Sequence, residues 1–187
     1  TRYISVKSGE ETEEISLEEY VLEVTAAELP ADAQEEAVKA QMVLIRTNAY
    51  RQLMEGKIRE KERKSLTELE LQGAGKKFRK AQKETKGQIL TCQDKPIMAS
   101  YHKISAGQTR EGQEVFHSED YEYLKSKACT GDKNAPDYKQ TIQIDDSWRA
   151  MEIEEKDSAG YVLRLKLGET EMSGEEFRIQ LGLPSSN

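Results

Sequence analysis

The chain has 187 residues, with 28 Lys and Arg against 35 Asp and Glu, a formal net charge of −7. At roughly 100–200 residues per domain this length predicts one domain over 1–187, and the acidic balance argues against a nucleic-acid or anionic-membrane binder, whose footprint is a basic excess. No apolar run approaches the ~18 residues of a membrane span, and the first residues read as a strand rather than a signal peptide. Because the sequence opens at Thr1 without Met, it is read as a mature or trimmed chain from which an anchor or export signal could have been removed. Cys92 and Cys129 form no C-x-x-C pair, so two free thiols are expected, with one bridge left open.

Charge falls in blocks. From Glu10 to Glu36 there are eleven acidic residues and no Lys or Arg; from Lys57 to Lys86 there are eleven basic and five acidic ones. Ser16-Leu17-Glu18-Glu19 fits an S-x-x-E capping box and opens a helix from about Leu17 to about Glu28, closed by Pro30, which disfavours helical geometry at Leu29. Asp32, with Glu35 at the box position, is the expected N-cap of a second helix whose Val38, Met42, Ile45, Ala49 and Leu53 make an apolar stripe, with Gly56 as its stop. One or two helices are predicted in the charged segment at about 57–86, broken near Gly73 and Gly75. Short apolar runs follow at Gln88–Cys92, Ile97–His102, Thr141–Ile144 and Tyr161–Leu167, which read as strands, the first two joined through Gln93-Asp94-Lys95-Pro96. Helices first and strands later predict an α+β fold, with N-terminal helices on a mostly antiparallel sheet and a charged helical insertion.

Glu28 stands out. At 100° per residue, Leu17, Val21, Val24 and Glu28 fall within about 60° of one another, so a carboxyl lies on the apolar side of its helix. It also sits in the last turn, where the helix dipole disfavours a negative charge. Both effects suit a carboxyl that must hold and then release a proton. The competing reading is a helix-end glutamate pointing into water. On the second helix Lys39 and Arg46 share an edge that could face an acidic substrate group, such as a sugar-borne carboxylate; the alternative is ordinary surface cations, or Arg46 binding backbone carbonyls.

Val24-Thr-Ala-Ala-Glu-Leu-Pro30, followed by Glu36 to Gln41 and Arg46-Thr-Asn-Ala-Tyr50, resembles the signature of the stage II sporulation protein D family. Glu84 to Thr91, Lys95-Pro-Ile97, Tyr101-His102 with Ser105-Ala-Gly-Gln-Thr109, Gly131 to Pro136 and Ser173 to Arg178 resemble it in order and spacing. The resemblance implies a lytic transglycosylase that cleaves the bond between N-acetylmuramic acid and N-acetylglucosamine in peptide-free glycan strands, leaving 1,6-anhydromuramic ends, during spore engulfment. It implies Glu28 as catalyst and a SpoIIP-like cell-wall amidase as partner. The implied location is extracytoplasmic, in the cell wall or anchored at the outer face of the membrane. Lytic cleavage needs one carboxyl, whereas hydrolytic glycosidases usually need two.

With the resemblance, Lys39, Gln41, Arg46, Tyr101, His102, Ser105, Gly107, Gln108 and Thr109 become candidate substrate-binding residues: Tyr101 to stack on a sugar or donate its hydroxyl, Ser105 and Thr109 to bond sugar hydroxyls, Gly107 to admit close approach. Some relatives bind zinc near this loop, but Ala106 stands where a cysteine would be expected, and His102, His117, Cys92 and Cys129 are scattered in sequence. No metal and no cofactor are therefore expected. The alternative to an enzyme is a non-catalytic glycan-binding module that activates a partner amidase.

Overall fold

The computed structural model describes residues 2–8, 11–56, 61–183 and 185. The chain, expected as one domain, divides by its contacts into two compact units, Thr1–Tyr101 and His102–Asn187.

In the first unit, strands β1 (Tyr3–Ser8) and β2 (Glu11–Ser16) form an antiparallel hairpin in which Tyr3 pairs with Ser16 and Ser8 with Glu11. Alternation buries Ile4, Val6 and Ile15 and exposes Ser5 and Lys7, the period of a strand with one wet face. Helix α1 (Leu17–Glu28) follows without a linker, its N-cap Ser16 accepting a hydrogen bond from the Glu19 amide. Helix α2 (Glu35–Met54) packs along α1, burying Val38, Met42, Ile45 and Ala49.

Asp32 is not the cap of α2. Pro30 to Ala33 close a turn, with the Ala33 amide donating to the Pro30 carbonyl, and the helix starts after Gln34. The turn is fixed from outside, because the Lys77 ammonium donates to the carbonyls of Ala31 and Ala33 at 2.7 and 2.5 Å.

The charged segment yields helices α3 (Leu66–Leu71) and α4 (Gly75–Glu84), separated where Gly73 adopts a φ of 73°. Only one face of it is charged: Leu69, Ala74, Phe78 and Ala81 enter the core beside α1 and α2. The segment expected as an insertion is thus part of the core, while its residues 57–60 lie outside the described ones.

The hairpin after residue 87 is shorter than expected. β3 (Thr91–Cys92) and β4 (Lys95–Pro96) pair across a two-residue turn in which Gln93 and Asp94 both have positive φ, 50° and 60°. This is the handedness that matches strand twist in a tight hairpin. Ile97–His102 forms no strand; its backbone is tied down by side chains instead.

The second unit contains α5 (Gly112–Phe116), the 3-10 turns Glu119–Tyr121, Thr130–Asn134 and Asp146–Ala150, and an antiparallel sheet of β5 (Met151–Lys156), β6 (Val162–Leu167) and β7 (Thr170–Ser173) in that order. Helix α6 (Gly174–Gln180) opens with a full capping box between Ser173 and Glu176. Of the strands expected here, Tyr161–Leu167 is β6, whereas Thr141–Ile144 runs without a ladder. The α+β class and the antiparallel pairing hold. Cys92 and Cys129 are free thiols. Among the described residues no helix is long and apolar enough to cross a membrane.

Gly174 makes α6 possible at this place: a Cβ there would meet the Val162 carbonyl oxygen at 2.0 Å and its carbon at 2.8 Å. Gly174→Ala is expected to destabilise the protein by about 3 kcal/mol, the upper end of ordinary overpacking, read as a lowered urea midpoint.

Candidate active site

Glu28 is the last residue of α1. The chain leaves the helix at Leu29 with extended angles (φ −113°, ψ 142°), and the carboxyl projects at the helix end beyond the buried Val21 and Val24. The recess expected around it is polar. Oε2 accepts a hydrogen bond from Gln41 Nε2 at 2.5 Å. Oε1 accepts two, from the Lys61 ammonium at 2.6 Å and the Tyr101 hydroxyl at 2.5 Å. Lys61 also donates to the Tyr101 oxygen and lies 4.8 Å from the centre of that ring. The side chain of Glu28 keeps 25% of its exposure and that of Lys61 35%, so the cluster is open to a ligand.

Burial opposes the charge on Lys61, but its hydrogen bonds to Glu28 and Tyr101 outweigh this and hold its pKa above the ordinary value. Burial, followed by the hydrogen bond to Glu28, pushes the Tyr101 phenol up, against the opposing pull of Lys61. At neutral pH the groups facing Glu28 are therefore an ammonium and a neutral phenol, both donors.

Each donor arrives on an element fixed elsewhere. Gln41 lies in the second turn of α2. The segment after residue 60 is fastened by Arg63, whose guanidinium donates to Glu23 Oε2 (2.7 Å), Glu13 Oε1 (3.1 Å) and the Lys7 carbonyl (3.2 Å), and by the Lys64 amide on the Glu23 carbonyl. Tyr101 is delivered by a strandless segment that Asn48 grips two residues upstream: its Nδ2 donates to the Ala99 carbonyl at 2.8 Å and its Oδ1 accepts the Ala99 amide at 2.9 Å. Thr47 adds the Leu90 amide at 2.9 Å. The two ends of the segment that carries the β3–β4 hairpin, at Leu90 and Ala99, are thus held by Thr47 and Asn48. Sequence reasoning quoted both in a motif but gave neither a task, and it missed Lys61 altogether, since one lysine in a block of eleven basic residues carries no distinguishing signal.

The cationic edge of α2 is engaged within the protein. Lys39 is held by Glu84 at 2.6 Å, Glu36 at 2.8 Å and Glu35 at 3.4 Å. Arg46 is 1% exposed; it makes a bidentate pair with Glu18, both contacts 2.8 Å, and donates to the carbonyls of Met42 and Gln88. That is the carbonyl-binding role entertained for Arg46 as an alternative.

The remaining candidates belong to the second unit. Ser105, 6% exposed, donates through both its amide and its hydroxyl to Asp132 Oδ2 at 2.7 Å. Gly107, at φ 100°, receives the Cys129 amide on its carbonyl. Gln108 bonds Ser126, and Thr109 exchanges hydrogen bonds with Lys127. Ser105 and Ala106 border a cleft of about 970 Å³ shared with Tyr138, Ile142, Tyr161 and Phe177.

His102, Cys129 and Asp132 bring a ring nitrogen, a thiol and a carboxylate within 4.8 Å of one another. Scatter in sequence was a reason to expect no metal, and for these three residues the folded loops remove it. Imidazole, thiolate and carboxylate are zinc-type donors, although Asp132 Oδ2 already serves Ser105 and Ala106 offers no fourth ligand.

Two outcomes follow. Arg46→Ala is expected to cost about 3 kcal/mol, the low end for breaking a buried pair, because Glu18 keeps 24% of its exposure; urea denaturation measures it. The Asp132 carboxyl is held below the ordinary range by the hydroxyl and amide of Ser105. Its contribution is therefore complete above the unfolded value of about 3.9 and is lost as pH falls through the lower folded value. In Asp132→Asn, the acid limb of the plot of denaturation midpoint against pH should flatten.

Comparison with known proteins agrees with the motifs. Residues 6–92 match the family model described as SpoIID, stage II sporulation protein. The chain is 30% identical over 212 aligned positions to stage II sporulation protein D of Bacillus subtilis (strain 168), covering 96% of this chain and 62% of the relative. It is 28% identical to the protein of the same description from Bacillus amyloliquefaciens, again over 96% of this chain and 61% of the relative. The chain thus spans a little over three-fifths of the length of these relatives, while the matched region contains Glu28, Gln41 and Lys61 and the longer similarity covers nearly all of the chain. The chain thus carries a SpoIID-type domain over residues 6–92 and is similar to stage II sporulation protein D over nearly all of its length.

Proposed function

We propose that the protein is a peptidoglycan lytic transglycosylase acting in sporulation, with Glu28 as its single acid and base. The observation that carries this reading is the donor ring around Glu28: Lys61, Tyr101 and Gln41 hold one partly exposed carboxyl in place, and lytic cleavage needs one such group. Hydrolysis by the usual route wants a second carboxyl about 5–10 Å away; lytic cleavage does not.

In the proposed reaction protonated Glu28 gives its proton to the glycosidic oxygen as the bond from the anomeric carbon of the muramic residue to that oxygen breaks. The carboxylate then takes the proton of the same sugar's 6-hydroxyl while O6 bonds to the anomeric carbon. The proton returns to Glu28, no water is consumed, and the product carries a 1,6-anhydro ring. Gln41 and Tyr101 orient the carboxyl, and Tyr101 also offers a ring face to a sugar.

Similarity to stage II sporulation protein D supports a role in sporulation at the cell wall, outside the cytoplasm; peptide-free strands as substrate and a peptide-stripping amidase as working partner during engulfment belong to the proposal. Denuded strands incubated with the protein should yield anhydromuramic ends by mass spectrometry. Glu28→Gln, which keeps the shape and the Gln41 and Tyr101 neighbours, should abolish them, by a factor of about 10² or more for loss of a positioned acid, with the circular dichroism spectrum unchanged. Strands that stay intact while still binding the wild-type chain would replace this reading with that of a binding module.

A further inference from the structure

Lys61 stands where a catalytic carboxylate and its substrate must meet. Two of its three donors are engaged, by Glu28 and Tyr101, and its side chain retains 35% exposure. Among the described residues, the cations of α2 and the Lys77 ammonium are committed elsewhere: Lys39 to three carboxylates, Arg46 to Glu18 inside the core, Lys77 to the carbonyls of Ala31 and Ala33. We propose that Lys61 is the specificity-determining residue of this site, its ammonium binding the free lactyl carboxylate of a muramic residue whose stem peptide has been removed.

The inference rests on the reading of Glu28 as the catalytic acid and adds what chooses the substrate. In the unliganded protein the ammonium has a carboxylate counter-ion, Glu28 Oε1. A substrate with a free carboxylate supplies a second one, and the ammonium can turn from one to the other without being stripped of its partner. That exchange relieves Oε1 of one of its two donors, leaving the Tyr101 hydroxyl, and makes room there for the glycosidic oxygen. A strand that still bears its peptide presents a neutral amide at the same position. It cannot replace the charge of Glu28, so Lys61 stays where it is and the carboxyl remains occupied. Recognition of the bare lactyl group and release of the catalytic oxygen are then one event. The hydrogen bonds that keep Lys61 charged ensure that the exchange is available throughout the neutral range.

The test is calorimetric binding of three ligands of equal length to the full chain at fixed ionic strength: denuded glycan strands, the same strands with lactyl carboxylates converted to methylamides, and a chito-oligosaccharide lacking lactyl groups. The wild-type protein should prefer the carboxylate strand over the methylamide by about 10- to 100-fold, the range of a charged hydrogen bond. Lys61→Gln should erase the preference and leave chito-oligosaccharide binding within about twofold, as an uncharged side chain of similar reach retains the remaining contacts. Lys61→Arg should keep the preference. A wild-type protein without it, a preference that survives in Lys61→Gln, or equal losses for all three ligands overturns the assignment. Product analysis on the same samples separates the two readings. Cleavage that depends on Glu28 but ignores the lactyl group sinks this inference alone, whereas a Lys61-dependent preference without cleavage sinks the transglycosylase reading alone.

Discussion

Arg46 joins three parts of the first unit that lie far apart in sequence. Its guanidinium takes both carboxylate oxygens of Glu18 near the start of α1, the carbonyl of Met42 within α2, and the carbonyl of Gln88 at the head of the segment that leads to Tyr101. At 1% exposure this charge is stable only because its partners are complete. Planar, forked geometry is what allows one side chain to serve a carboxylate and two carbonyls together; a lysine would offer a point charge instead. With α1 and α2 locked at this crossing, the end of α1 is fixed relative to the face of α2 that carries Gln41, and Thr47 and Asn48, one and two residues after Arg46, guide the chain from residue 90 to residue 99.

The donor ring is therefore a product of the core. Gln41 shares a helix with the buried Val38 and Met42, Tyr101 follows from Asn48, and Lys61 follows from Arg63 clamped between Glu23 and Glu13. The Glu23 carboxyl pays for this position: burial raises its pKa despite the opposing charge of Arg63. Polar side chains buried among helices act here as positioning devices for groups that reach the surface.

Much of this architecture was legible in the sequence. The bounds of α1, the stop of α2 at Gly56 and the break at Gly73 were readable because caps, glycines and a proline act locally. The Ser173 to Glu176 box was equally local, though only its motif was noted. What escaped was set by partners distant in sequence. Gln34 replaced Asp32 as the start of α2 because Lys77 stabilises the turn before it. β5, with the acidic sequence Met-Glu-Ile-Glu-Glu-Lys, owes its pairing to β6 more than to its own apolar pattern. At the site, Glu28 was found by its place on the apolar side of a helix, while the polarity of its surroundings depended on Lys61 and Tyr101, which no spacing rule connects to it. Lys39 and Arg46 share an edge as the wheel requires, but which anions they meet was decided by Glu84 and Glu18 on other helices.

The three donors of Glu28 lie 13, 33 and 73 positions along the chain from it. Each contact closes a loop, and the largest closes only after nearly the entire first unit has left the ribosome and collapsed. A nascent or clipped chain ending ahead of residue 101 would carry the Glu28 carboxyl without its phenol, so the donor ring completes itself only when the first unit is whole.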